Sequence, residues 1–295
     1  MAVVINTNVD ALKIQNLLNT STNKMSSTMQ KMSSGLQILS AKDDAAGTVI
    51  SAKMDVQLNG NKIAQKNVQN ANALLSTAEG NLDVVADNVS RIRDLTLQAK
   101  NGTYSADEIK AMQDEVDQRI AEIDRISKSA EYSSLQLFGG DLADKGATFQ
   151  VGADAGANNT IVASGDLFKS VEFSALTGAS KFNLSDIANV QYGQNDKAEP
   201  TEANAYDKAI QALDEAINDI SNRKSIIGSA GNRMDSALQT LTTQYENLSS
   251  AKSIITDADI AAEASTFVQN QILQQVSTSL LSQANQAPSI ALSLI

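Results

Sequence analysis

The sequence predicts a mainly α protein: an elongated antiparallel helical bundle or coiled coil built from both chain ends, with a small β-hairpin region in the middle. Three observations predict it. Apolar residues recur at steps of three, four or seven along four long stretches, the spacing of a coiled-coil seam. Proline occurs only at 200 and 288; inside a helix it costs about 3 kcal/mol, so long helices are permitted. Aromatic residues make up 4% of the chain, with no Trp. Hydrophobicity therefore rests on Ala, Leu, Ile, Val and Met, which suit narrow helix–helix seams better than a wide core of large rings.

The first helical stretch carries Leu18, Met25, Met29, Met32, Leu36 and Leu39. Thr7-Asn8-Val9-Asp10 reads as the capping signal ahead of it. The second seam is tighter, with Ala64, Val68, Ala71, Leu75, Ala78, Leu82, Val85, Val89 and Ile92 at alternating steps of four and three. Its many alanines favour close helix approach, and a helix over 58–99 would be roughly 60 Å long. An Asn101-Gly102 turn follows. Ser105-Ala106-Asp107-Glu108 then has the form of a capping box for a third helix. That helix places Ile109, Met112, Val116, Ile120 and Ile123 on one face. Glu115 with Arg119 and Asp124 with Lys128 are i,i+4 pairs on its solvated face, each worth about 0.2–0.5 kcal/mol.

Residues 138–200 differ in kind. Phe138-Gly139-Gly140 breaks the helix, and 147–152 and 160–163 read as short strands around Gly, Asp and Asn turns. Gly152-Ala153-Asp154-Ala155-Gly156 lacks the Gly-Lys-Ser/Thr of a phosphate loop and reads as a hairpin turn. The fourth stretch begins near Glu202. It continues through Leu213, Ile220, Ile227, Met234, Leu238, Leu241, Tyr245, Leu248 and Ile255. Thr256-Asp257-Ala258-Asp259 then signals the start of a new helix.

Composition excludes several functions. The net charge is −11, and no Lys/Arg cluster suits a phosphate backbone or an anionic membrane surface, so no nucleic-acid partner is expected. With no Cys and no His, disulfides, thiolate or imidazole metal sites and Ser-His-Asp or Cys-His catalysis are ruled out. No cofactor is expected. The opening Met-Ala-Val-Val-Ile-Asn lacks the basic and long apolar regions of a signal peptide. No run of about 18 apolar residues is present, so no membrane insertion is expected.

The ends are poor in charge. From Ala264 to Ile295 there is no charged residue, and Lys24 is the only one between Lys13 and Lys31. A water-exposed helix normally carries charges on its polar face. Either these segments are flexible low-complexity tails, or they are helices ordered on assembly, with Gln, Asn and Ser hydrogen-bonding across chains. In the second case the expected polymerisation interface comprises Leu18, Met25, Met32, Leu36, Ile272, Leu273, Leu280 and Leu281.

Lys31-Met32-Ser33-Ser34-Gly35-Leu36 through Ser40-Ala41-Lys42-Asp43-Asp44-Ala45-Ala46-Gly47 resembles the N-terminal signature of bacterial flagellins. Residues 231–238, Glu246-Asn247-Leu248, Asp257-Ala258-Asp259 with Ala261-Ala262-Glu263, 271–275 and 283–286 resemble the C-terminal one. The resemblance covers roughly 1–140 and 200–295. It implies a structural subunit that travels unfolded through a flagellar type III export channel, helped by an export chaperone, and polymerises with itself beneath a cap. Hook-associated proteins are further implied partners. Residues 1–43 plus 256–295 would form a terminal coiled coil lining the inner tube. Residues 44–255 would form a helical bundle with a β insert at about 138–200 and no large outer domains. Gln37, Leu39 and Ile295 depart from the residues common in the family, Arg, Asn and Arg. The resemblance also implies recognition by a host Toll-like receptor at Arg91, Leu95, Gln98 and Glu115, although Ser90 replaces a common Gln.

Three other readings compete. A hook-filament junction protein shares both terminal patterns. An enzyme could use Asp43-Asp44 or Asp257 with Asp259, but these stand at helix starts, where carboxylates stabilise the dipole. A secreted coiled-coil adhesin would not carry the ordered pair of terminal signatures.

Overall fold

A computed structural model describes residues 7–101, 103–179, 182–184 and 202–292, without the side chains of 202–205 and 287–292. The opening hexapeptide, Gly102 of the expected turn, residues 185–201 of the insert and Ile295 lie outside the described residues. In chain order the helices are α1 (Val9–Ser34), α2 (Ala45–Lys100), α3 (Ala106–Ser129), α4 (Asp141–Lys145), α5 (Phe173–Thr177), α6 (Glu202–Thr256) and α7 (Ile260–Leu292). The strands are β1 (Glu131–Tyr132), β2 (Leu135–Gln136), β3 (Ala147–Gln150) and β4 (Thr160–Ala163). The chain divides into two compact units, residues 1–58 with 245–295 and residues 59–244. The division falls within α2 and α6, whereas the boundaries expected at 43 and 256 coincide with helix breaks.

In the second unit all nine residues of the tight seam, Ala64 to Ile92, are buried. They meet Ala209, Leu213, Ala216, Ile220, Ile227, Ala230 and Met234 of α6 in one core. Polar pairs flank this core at Asn72–Asp235, Asp83–Lys224, Arg93–Asp214 and Lys100–Asp207. In every pair the two residue numbers have the same sum, so α2 and α6 run antiparallel in one unbroken register. At 56 residues, α2 is about 84 Å long by the helical rise. It starts well before the expected 58, because Val49, Ile50 and Val56 are exposed and leave no buried periodicity to read there.

The capping box of α3 forms as expected: the Ser105 side chain accepts from the Glu108 N–H, and the Glu108 carboxylate accepts from the Ser105 N–H at 2.7 Å. Val116 and Ile123 are buried, with Ile109, Met112 and Ile120 packed beside them. The helix ends at Ser129, short of the expected break at Phe138-Gly139-Gly140. A tight hairpin follows, in which Glu131 pairs with Gln136 and Tyr132 with Leu135. Its turn residues Ser133 and Ser134 have φ of 51° and 67°. This left-handed region is normally held by Gly, Asn or Asp, so two serines gave no turn signal.

The expected strand pair is present, β3 and β4 lying antiparallel from Ala147↔Ala163 to Gln150↔Thr160. Aromatic residues are not spread thinly here. Phe138, Phe168, Phe173 and Phe182 are buried with Leu137, Leu167, Val171 and Leu184, and all of them join the core of the α2 and α6 seam. Phe173 and Phe182 meet edge to face at 5.6 Å, a favourable ring geometry. Gln113 of α3 holds this insert in place, accepting from the Leu184 N–H at 2.6 Å and donating to the Phe182 carbonyl at 2.9 Å.

Candidate assembly surface

In the first unit α1 and α7 pack against each other. Asn8 meets Ala284, Thr22 meets Gln274 and Lys31 meets Glu263, which sets the pair antiparallel. Each helix starts at a side-chain cap. For α1 it is Asn8, whose Oδ1 accepts from the Ala11 N–H at 3.0 Å, one residue later than the Thr7 cap the sequence suggests. For α7 it is Asp259, accepting from the Ala261 and Ala262 N–H groups at 2.9 and 3.1 Å, rather than Thr256, which ends α6. Gly35 stops α1 in the left-handed conformation, with φ of 72°, a conformation glycine adopts without steric cost.

The segments beyond these ends are stitched together. The Gln37 N–H donates to the Thr256 carbonyl at 2.7 Å, and the Ala258 N–H donates to the Gly35 carbonyl at 2.9 Å. Leu36 and Asp257 form an antiparallel bridge. The next turn is held by Asp43, which accepts from the Leu39 N–H, the Ser40 N–H and the Ser40 hydroxyl. At Gly47 a Cβ would lie 2.5 Å from both Asp44 Oδ2 and Ile38 Cδ1, so a larger residue there would displace the ends of those two side chains.

The pair has an inverted pattern. Its seam on α1 runs through Ala11, Ile14, Leu18, Ser21, Met25, Thr28 and Met32. On α7 it runs through Glu263, Phe267, Asn270, Gln274, Ser277, Leu281 and Ala284. Both follow heptad steps, yet the most deeply buried members are polar: Ser21, Thr28, Asn270 and Ser277. Large apolar residues point outward instead. Val9, Leu12, Leu17 and Met29 of α1 are exposed. On α7, Val268, Ile272, Val276 and Leu280 form an exposed stripe at steps of four, with Leu273 beside it. Heptads are normally apolar inside and charged outside, and outward apolar patches mark interaction surfaces.

The expected interface residues therefore fall into two groups. Leu18, Met25, Met32 and Leu281 are half-buried in the seam within the chain. Ile272, Leu273, Leu280 and Leu36 are exposed. Met29 and Leu39, expected on the first seam, are exposed as well, as is Tyr245 from the fourth. Leu12, Leu17, Val268 and Val276 face outward as well and are not among the expected residues. The buried polar residues could have been found, because 21 to 28 and 270 to 277 are each one heptad.

The Arg91 segment lies in the second unit. The Arg91 guanidinium donates to both carboxylate oxygens of Glu115, at 2.8 and 3.1 Å. This hydrogen bonding holds the Glu115 carboxyl below its usual range and raises Arg91. Gln98 is exposed. Leu95 is only 2% exposed and belongs to the core.

The paired carboxylates of the ends are occupied by chain hydrogen bonds. Asp257 accepts from Ser253 at 2.6 Å and Thr256 at 2.9 Å. Bonds from Ser40 lower the Asp43 carboxyl, and bonds from Ser253 and Thr256 lower Asp257. That is the wrong direction for acid–base work near neutral pH.

Comparison with known families gives two matches. The family described as bacterial flagellin N-terminal helical region matches residues 5–142, and bacterial flagellin C-terminal helical region matches residues 210–295. Flagellin of Xenorhabdus nematophila is 37% identical, with 100% of both chains covered. Flagellin of Bacillus subtilis is 35% identical, with 99% of both covered. In fold alone, the chain is similar to a solved structure from Vibrio parahaemolyticus provisionally identified as a flagellar hook-associated protein. Its TM-score is 0.55 at 16% identity, over 72% of this chain and 99% of that one.

Proposed function

This chain belongs to the bacterial flagellin family and is a structural subunit of the flagellar filament, and from that premise we propose that the outward apolar faces of α1 and α7 are where one copy meets the next. The observation that carries this reading is the inverted pattern: polar residues take the most deeply buried places of the seam within the chain, and Val268, Ile272, Val276 and Leu280 lie outside it. In water such a stripe exposes apolar surface at about 25 cal/mol per Å². A second copy laid against it would remove that cost. The absence of charge from Ala264 onward leaves no ion to desolvate in the contact.

The test is electron microscopy of purified subunit with short filament seeds, in sulfate, which favours burial. The full chain should elongate the seeds. Ile272→Ser with Leu280→Ser, or a chain lacking 264–295, should not, while the double variant keeps the melting temperature of the second unit. Elongation by the double variant at the native rate would refute the assignment of this face.

The finer partners follow the same premise. The subunit leaves the cell unfolded through a flagellar type III channel. The lack of Cys supports this, since no cross-link has to be undone on the way. An export chaperone covers the apolar stripe of α7 beforehand, and a cap and hook-associated proteins bound the growing polymer. A layer boundary near 43 and 256 is supported by the helix breaks at 35–44 and 257–259. Recognition by a Toll-like receptor would engage Arg91, Gln98 and Glu115 on the surface, with Leu95 acting through the fold beneath them. A reporter-cell assay that gives equal responses for the native subunit and Arg91→Ala with Gln98→Ala would reject that contact.

A further inference from the structure

Pro288 lies inside α7, which continues to Leu292. In an α-helix the N–H of each residue donates to the carbonyl four residues before it, and proline has no N–H. The carbonyl of Ala284 therefore has no donor from its own helix. In the structure it accepts a hydrogen bond from another one: Asn8 Nδ2 donates to the Ala284 oxygen at 2.7 Å. The same side chain caps α1 through Oδ1, which accepts from the Ala11 N–H at 3.0 Å. One amide thus satisfies an orphan donor at the start of α1 and an orphan acceptor within α7.

We infer that Asn8 is a positioning residue for assembly, a clasp that fixes the axial register in which α1 and α7 pair by seeking the one carbonyl that Pro288 leaves open. This rests on the reading that these helices are the polymerising ones. Elsewhere in the body of α7 the carbonyls are bonded within the helix, so a slip of one turn would set Asn8 against an acceptor already in use. At its most deeply buried points the seam has little shape to resist such a slip, because Ser21, Thr28, Asn270 and Ser277 stand there rather than large interlocking side chains. At the other end of the pair the backbone bonds from Gln37 to Thr256 and from Ala258 to Gly35 hold the register, with Lys31 and Glu263 at 3.6 Å beside them, so the clasp acts at the opposite end, away from those bonds. The clasp needs a donor and an acceptor on one short side chain, and asparagine has both. Aspartate retains the acceptor and the cap but loses the donor.

A double-mutant cycle separates the clasp from the cap. Pro288→Ala restores the N–H and lets α7 satisfy Ala284 by itself. In the full chain, Asn8→Asp should raise the critical concentration for seeded elongation about tenfold, equivalent to about 1.4 kcal/mol, the scale of an acceptor stripped of its donor. In the Pro288→Ala background the same change should raise it less than about threefold. Equal penalties in both backgrounds, or none in either, would overturn the clasp.

Register is read separately. The chain has no cysteine, so Thr22→Cys with Gln274→Cys, at positions that touch at 3.2 Å, reports native pairing by disulfide yield. Thr22→Cys with Thr278→Cys reports a slip of one turn. Asn8→Asp should move yield from the first pair to the second, and an unchanged ratio would count against the clasp. This cross-linking assay works on unpolymerised protein. A native chain that fails to elongate seeds, yet cross-links in register, would therefore refute the polymerisation reading and keep the clasp.

Discussion

The side chains that decide how this chain responds to its surroundings are its hydrogen-bonded carboxylates. Glu115 is held low by Arg91, Glu108 by the Ser105 N–H, Asp43 by Ser40 and Asp257 by Ser253. A carboxyl lowered in the folded state stabilises that state above its unfolded value and loses the contribution as pH falls through the lowered one. Folded stability should therefore be flat near neutrality and decline once pH drops below about 4, the ordinary carboxylate range. Thermal melts followed by circular dichroism across that range check this, and Glu115→Gln should flatten part of the decline. The core has a different sensitivity. Leu82 is fully buried on the α2 seam, and Leu82→Ala should cost about 2–5 kcal/mol in chemical denaturation. Arg91→Ala, on an exposed and solvent-screened pair, should change stability far less. Leu95→Ala should fall near the first value, as a core residue does.

Among the elements, the terminal pair buries polar residues at the deepest points of its seam and turns large apolar ones outward. Filling its polar seam tests this directly. Asn270→Leu with Ser277→Leu should raise the temperature at which helix is lost from the unpolymerised subunit, measured by circular dichroism. It should not restore elongation to Ile272→Ser with Leu280→Ser, because the two pairs lie on different faces. The tight hairpin offers a second test: Ser133→Asn with Ser134→Gly relieves two left-handed serines and should stabilise the second unit by about 1–2 kcal/mol. How far each element was legible follows from the same physics. The α2 seam could be read residue by residue because apolar periodicity and burial coincide there. The same pattern in 18–39 misplaced Met29, Leu36 and Leu39, because in that stretch apolar residues face outward and periodicity no longer reports the inside. Ser105 and Glu108 announced their helix start, while the α1 and α7 caps were shifted to Asn8 and Asp259. Several adjacent residues in those segments can accept from a free N–H, and only the backbone path selects one. Ser133 and Ser134 carried no signal, since neither is a usual left-handed residue.

At the scale of the whole molecule, the family membership and the inverted terminal pair explain one another. A monomer that displays Ile272, Leu280 and Leu12 should be most soluble where burial is least favoured. Added sulfate should shorten the lag of seeded growth and lower the critical concentration, with light scattering as the measure. Residues that meet here come from opposite halves of the chain: Lys100 and Asp207 are 107 positions apart, and Asn72 and Asp235 are 163 apart. The constant register of α2 and α6 therefore has an evolutionary consequence. A change at position 83 alters the environment of position 224 and of few other residues on α6, so Asp83→Lys should be tolerated best beside Lys224→Asp. Across related sequences, substitutions at 72, 83, 93 and 100 should be answered at 235, 224, 214 and 207. The two arms of such a gene would drift together, column against mirrored column, and heredity would act on the pair as its unit.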